Sequence, residues 1–158
     1  MVDLKNESVV RGERLMPSCH GKYKTIGFRS LLELSYLKWL ELQGLILNHD
    51  VLYETIRIPY SIGNGRARDY IPDFFVKPWN MIVELKHSAR QSGRMNEAKF
   101  EAAHRFCYNK GLCFVVLTEK DISPLSLSTL AEDLSIKWSP GTLKRKRFAK
   151  KIKEARKR

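Results

Sequence analysis

Between Val51 and Lys86 the chain reads as three extended segments separated by two turn signals. Val51 to Tyr60 is rich in β-branched and aromatic residues, and Gly63-Asn64-Gly65 then marks a turn. Asp69 to Lys77 reads as the second strand, Pro78-Trp79-Asn80 as the second turn, and Met81 to Lys86 as the third strand. Two consecutive hairpins of this kind predict an antiparallel meander. A meander needs a covering layer to bury its apolar face.

The flanking segments supply that layer. A helix is expected over about residues 30–43, with Ser30 as N-cap and Gly44 as its stop. A second helix is expected over about 95–109, where Ala98, Ala102, Ala103, Phe106 and Cys107 form one apolar stripe and Gly111 ends the pattern. Leu112 to Leu117 is a continuous apolar run, the pattern of a strand covered on both faces. A short helix near 126–134 and a basic, helix-prone tail complete the chain. The order is α-β-β-β-α-β, an α/β fold with a mixed sheet flanked by helices. Residues 1–27 read as an irregular arm, 28–135 as the folded domain and 136–158 as the tail.

The second and third strands carry the chemistry. Residues i and i+2 of a strand point to one face, so Glu84 and Lys86 are neighbours. The turn centred near 78–79 sets Asp73 across from Glu84, where Cβ atoms are about 5 Å apart. Neighbouring carboxylates repel, and a hard divalent cation relieves that repulsion. A lysine beside them can orient an attacking water or hold a phosphoryl oxygen. The pattern therefore fits phosphodiester hydrolysis. It also fits an ordinary half-exposed strand with a surface Glu-Lys pair. Glu33, on the first helix, can reach such a site; Ser30-x-x-Glu33 is equally a helix-capping box.

Charge adds a second signal. The net is +12 over 158 residues, and residues 143–158 hold ten Lys and Arg against the single acid Glu154. A polyanionic partner is the natural reading, because neutralised phosphates release counterions. Lys144, Arg145, Lys146, Arg147, Lys150 and Lys151 are the expected anchors in the tail. Arg90 and Arg94, in the Gly- and Ser-containing segment after the third strand, are placed to hold a nucleic-acid backbone or are ordinary loop charges. Three cysteines without a CxxC pair fit a reducing compartment, and Cys107 and Cys113 are expected in the core. Trp39 is also expected there. Trp79, at a turn tip, is a packing residue or a contact to DNA. His87 reads as a surface histidine. The polar start of the chain argues against a secretory leader, no run is long enough to span a membrane, and a cytoplasmic protein is expected.

These motifs resemble the PD-(D/E)XK nuclease superfamily. Pro72-Asp73 matches its PD, Glu84-Leu85-Lys86 its ExK, and the element order its restriction-endonuclease-like αβββαβ core. Arg29-Ser30-Leu31-Leu32-Glu33, Ile58-Pro59-Tyr60, Tyr70-Ile71-Pro72-Asp73-Phe74 and Leu117-Thr118-Glu119-Lys120-Asp121 look like TnsA-type endonucleases and the small head-completion nucleases of tailed phages. The chain's length fits the latter better. Arg-Ser-x-x-Glu and Ile-Pro-Tyr are also similar to junction-resolving endonucleases.

The resemblance implies a DNA endonuclease that uses Mg²⁺, with Mn²⁺ able to substitute. Asp73 and Glu84 would be metal ligands, Lys86 the catalytic lysine and Glu33 the helix carboxylate of the site. Lys99 would face DNA from the second helix, or be a solvated helix lysine. Phage head or transposition proteins would be partners, in the host cytoplasm or a virion. Two rivals remain: a non-catalytic DNA-binding component of such an assembly, and a basic RNA-binding protein indifferent to Asp73 and Lys86.

Overall fold

In the computed structural model, which describes residues 19–158, part of the stretch expected as a loose arm is a hairpin. Strands β1 (Gly21–Tyr23) and β2 (Ile26–Phe28) pair across a turn at Lys24, whose φ is 53°. The remainder of the predicted arm, residues 1–18, lies outside the described residues. Helix α1 (Leu31–Leu42) follows, within the predicted bounds, and Gly44 stops it with a left-handed φ of 86°.

Backbone chemistry then interrupts two of the predicted strands. Glu54 takes a positive φ of 52°, which divides the first into β3 (Val51–Tyr53) and β4 (Ile58–Ile62). Pro72 has no N–H to give a ladder, and the second is divided into β5 (Arg66–Tyr70) and β6 (Phe74–Val76). The halves separate into two sheets. β4 and β5 form a hairpin of their own, closed at Ile62–Arg66 by Gly63 and Gly65 with φ of 54° and 75°. β3 pairs with β6, and β6 with β7 (Met81–Leu85), both antiparallel. The single meander expected from the sequence is thus a central sheet with a detached hairpin.

Helix α2 (Arg94–Lys110) carries the chain across to β8 (Cys113–Leu117), which runs parallel to β7. The sheet order is β3-β6-β7-β8, mixed as expected. β8 lies at the sheet edge, and its apolar run is not covered on both faces: Phe114 is buried, whereas Cys113 is exposed. Cys107 is in the core as predicted, among Ile58, Tyr60, Tyr70, Ile82, Ala102, Ala103 and Phe114. Trp39 is not a core residue. It is 41% exposed and meets Trp79 edge to face at 5.8 Å.

The last third of the chain is more ordered than a tail. Helix α3 (Leu127–Glu132) leads to β9 (Ile136–Trp138), which pairs antiparallel with β1 and completes a sheet of order β2-β1-β9. Helices α4 (Pro140–Leu143) and α5 (Lys146–Ala155) follow. α5 buries Phe148, Ile152 and Ala155, spaced four and three residues apart, so its charges ride on a helix with an apolar stripe. The chain divides into two units by contact: residues up to Tyr36 with Ser123–Arg158, and Leu37–Ile122. These divisions differ from those expected at 27 and 135 because both ends of the described chain share the β1–β9 pair.

That pair leaves no room at Gly21. A Cβ there would stand 2.5 Å from the Lys137 carbonyl oxygen and 2.7 Å from Phe28 Cζ. Gly21→Ala is expected to cost about 1–3 kcal/mol, the usual range for overpacking. Urea unfolding of the variant beside the wild type measures it.

Candidate active site

The division of the second predicted strand at Pro72 creates the site. β6 and β7 pair Phe74 with Val83, and the next step beyond the ladder sets Asp73 across from Glu84. Main-chain hydrogen bonds fix both carboxylates. Leu85 N–H donates to Asp73 Oδ2 at 2.7 Å, and the Asp73 N–H donates to the Glu84 carboxylate. Glu54 N–H donates to the Asp73 carbonyl at 2.9 Å, holding the interrupted strands together. Both side chains are buried, Asp73 at 7% exposure and Glu84 at 8%.

Tyr70 is the residue that sequence reasoning missed. Its hydroxyl donates to Glu84 Oε2 at 2.8 Å from inside the apolar core. Its place three residues before Asp73 was visible, but the separate β4–β5 hairpin that aims it was not. Burial, then the charge of Glu84, pushes the Tyr70 hydroxyl far above its ordinary value, so it stays a donor. Burial also pushes the Glu84 carboxyl above its usual range, against the opposing pull of Tyr70, Lys86, the Asp73 N–H and Lys99.

Lys86 is half-buried just beyond β7, and its N–H donates to the Leu117 carbonyl at 2.9 Å. The segment after it is clamped. Ser88 donates through its N–H at 2.9 Å, and also through its hydroxyl, to the Glu119 carboxylate. His87 Nε2 lies 3.6 Å from the same carboxylate. His87 is therefore more than a solvated surface residue: its ring faces the clamp. Burial pushes Glu119 up, but the Ser88 hydrogen bonds outweigh it and hold the carboxyl below its ordinary value.

Lys99 is half-buried on α2, its Nζ 5.9 Å from the Tyr60 ring centroid and 5.7 Å from that of Tyr70. It is not a solvated helix lysine. Arg90 is exposed in a 3₁₀ turn, Ser88–Arg90, and Arg94 is exposed at the start of α2.

Glu33 belongs to the other unit. The Glu33 N–H donates to Ser30 Oγ at 3.0 Å, and Glu33 Oε2 accepts from Arg29 N–H at 2.8 Å. This is a capping arrangement in which the carboxylate accepts from the N–H one residue before the one used in a standard box. Of the basic residues near the C-terminus, Lys144 and Arg145 precede α5, and Lys146, Arg147 and Lys150 are exposed on it, whereas Lys151 is half-buried.

Among the described residues, no group of three or more His, Cys, Asp or Glu side chains is arranged to hold a metal ion. The Asp73–Glu84 pair nevertheless offers the oxygen donors that a hard cation prefers. Mg²⁺ is commonly held by one or two carboxylates with waters and substrate phosphate completing its shell. Two adjacent buried carboxylates, one pushed upward by its own burial, fit such an ion.

Residues 49–119 match the family model of the TnsA-like endonuclease N terminal. The resemblance read from the motifs holds over this stretch. The match takes in Asp73, Glu84, Lys86, Arg90, Arg94 and Lys99; Glu33 and the basic C-terminal residues lie outside it. No curated protein and no solved structure matches the chain. Among the described residues, no helix is long and apolar enough to cross a membrane.

A raised carboxyl pKa means that the charged form weakens the fold. The cost is absent below the unfolded-state value and appears as pH rises through the folded one. Glu84→Gln in EDTA is therefore expected to have a higher Tm than wild type at alkaline pH. The two should converge as pH falls toward the ordinary value of 4.5. Thermal melts across that range provide the check.

Proposed function

We propose that this chain is a Mg²⁺-dependent DNA endonuclease. The observation that supports it best is the pair of buried, hydrogen-bonded carboxylates, Asp73 and Glu84, with Lys86 two residues along, inside the stretch that matches TnsA-like endonucleases. The reading rests on these three residues.

Asp73 and Glu84 would hold the cation. Bound there, it would supply a water of lowered pKa and stabilise charge on the phosphoryl oxygens. The chain's own contribution is preorganisation. Leu85 N–H and the Tyr70 hydroxyl keep the carboxylates oriented, and the buried surroundings keep competing water away. Lys86 follows Glu84 on the same side of the strand. From there its ammonium can orient the attacking water or bind a phosphoryl oxygen, while the Ser88–Glu119 clamp keeps its segment in place. Arg90, Arg94 and Lys99 would hold the DNA backbone near the site. Lys144, Arg145, Lys146, Arg147, Lys150 and Lys151 would anchor it without sequence preference. A head-completion or transposition setting, with partner proteins from either, is the context the resemblance implies.

Supercoiled plasmid incubated with the purified protein should be nicked or linearised in Mg²⁺ or Mn²⁺ and left intact in EDTA. Asp73→Asn and Lys86→Ala should each lower the rate by a factor of about 10²–10⁴. Equal cleavage by wild type and both variants would contradict the assignment. Metal-independent DNA binding without cleavage would favour the structural-component reading.

The basic helix is tested by charge substitution, not truncation, because α5 buries Phe148, Ile152 and Ala155. Replacing Lys144, Lys146 and Lys150 together by Gln should flatten the slope of log Kd against log salt by up to about 2.7, at about 0.9 per phosphate contact. Fluorescence anisotropy with labelled duplex DNA measures it.

A further inference from the structure

The two faces of the detached β4–β5 hairpin carry different charge. Ladder partners point to the same side, so Ile58, Tyr60 and Ile62 share a face with Tyr70, Arg68 and Arg66. Ile58, Tyr60 and Tyr70 lie in the core cluster with Ala102, Ala103 and Cys107 of α2, and Ile62 packs against it. This is the face turned toward α2. The opposite face carries Pro59 and Asp69, Ser61 and Ala67, all exposed, and the Asp69 carboxylate is 3.4 Å from Arg57.

Arg66 and Arg68 therefore sit on the inner face but on the outer strand, where β5 overhangs the helix-packed β4. Both are exposed, and neither side chain makes a hydrogen bond or ion pair with another described residue. On the same face Lys99 extends over the rings of Tyr60, the ladder partner of Arg68, and Tyr70. The outer face has one arginine, and its charge is already paired. The inner face has two arginines that are unpaired among the described residues, and a lysine. They lead toward the carboxylates: two-residue steps along a strand are about 7 Å, so Arg68 and Arg66 lie about 7 and about 14 Å from Tyr70 along β5. The Tyr70 hydroxyl in turn touches Glu84.

We propose that the inner face of this hairpin is a DNA-backbone surface, on which Arg66 and Arg68 bind successive phosphates of the strand delivered to Asp73 and Glu84. The assignment rests on the endonuclease reading. Arginine suits the task because its planar fork can bind a phosphate through two N–H groups and keeps its charge at all working pH values. Polar contacts of this kind position the nucleic acid without reading sequence. The surface sets where the duplex lies against the site, and the chemistry remains with the carboxylates and Lys86.

The test is binding of a fluorescein-labelled duplex in EDTA by anisotropy across a salt series, with wild type, Arg66→Gln/Arg68→Gln and Arg57→Gln. The double variant should weaken binding at low salt and flatten the log–log slope by about 1.8. Arg57→Gln, on the outer face, should match wild type. Calorimetric Mn²⁺ binding and Tm should be unchanged in both variants, since these exposed side chains hold neither the carboxylates nor the core. An unchanged slope in the double variant, or an equal loss in Arg57→Gln, overturns this surface and leaves the endonuclease reading intact. No duplex binding by the wild-type chain overturns both.

Discussion

Two buried carboxylates facing each other across adjacent strands are the constraint around which the Leu37–Ile122 unit is arranged. Asp73 and Glu84 are nearly sealed from solvent, where an ionised group is costly unless something donates to it. The fold supplies donors with little freedom to leave: the main-chain N–H of Leu85, that of Asp73 and the hydroxyl of Tyr70. The pairing of the two acids depends on the β6–β7 register, because a slip of one residue in either strand would turn its carboxylate to the opposite face from the other. Even with those partners, burial keeps the Glu84 carboxyl above its ordinary range. A group that weakens the fold in this way is more easily understood as a functional requirement than as a stabilising one.

The interruption of the strands serves the same end. Pro72 and the left-handed Glu54 break what would have been two long strands and free the β4–β5 hairpin from the central sheet. Detached, the hairpin brings Tyr70 over Glu84 and presents Arg66 and Arg68 on the face turned toward α2. A continuous meander would have paired these residues within one sheet. The local backbone chemistry of two residues thus decides both how the acidic pair is held and where basic residues stand relative to it.

Much of this was legible before any coordinates. Turn residues and periodicity placed α1, α2, the strand pair around Asp73 and Glu84, and the two carboxylates opposite each other. Single-strand patterns could not show that β8 would be an edge strand, since an apolar run looks the same at an edge as in the centre. Trp39 misled for a related reason: its size favours burial, but its partner is the equally exposed Trp79. The β1–β9 pairing was hidden because it joins the two ends of the described chain, and α5 read as a tail because its charges outnumber its three buried residues. Tyr70 was hidden because an aromatic in a strand pattern gives no hint that its hydroxyl caps an acid. Glu33 was readable in two ways, as a helix cap and as a carboxylate of the site, and the hydrogen bonds of the cap are present.

The central claim, that Asp73 and Glu84 form a cation-binding catalytic pair, is tested most directly by calorimetric titration of Mn²⁺ into wild-type protein and into Asp73→Asn. The account predicts a binding isotherm for the wild type that disappears in the variant while the variant stays folded. Identical isotherms for the two proteins, or none for the wild type with and without duplex DNA, would contradict it.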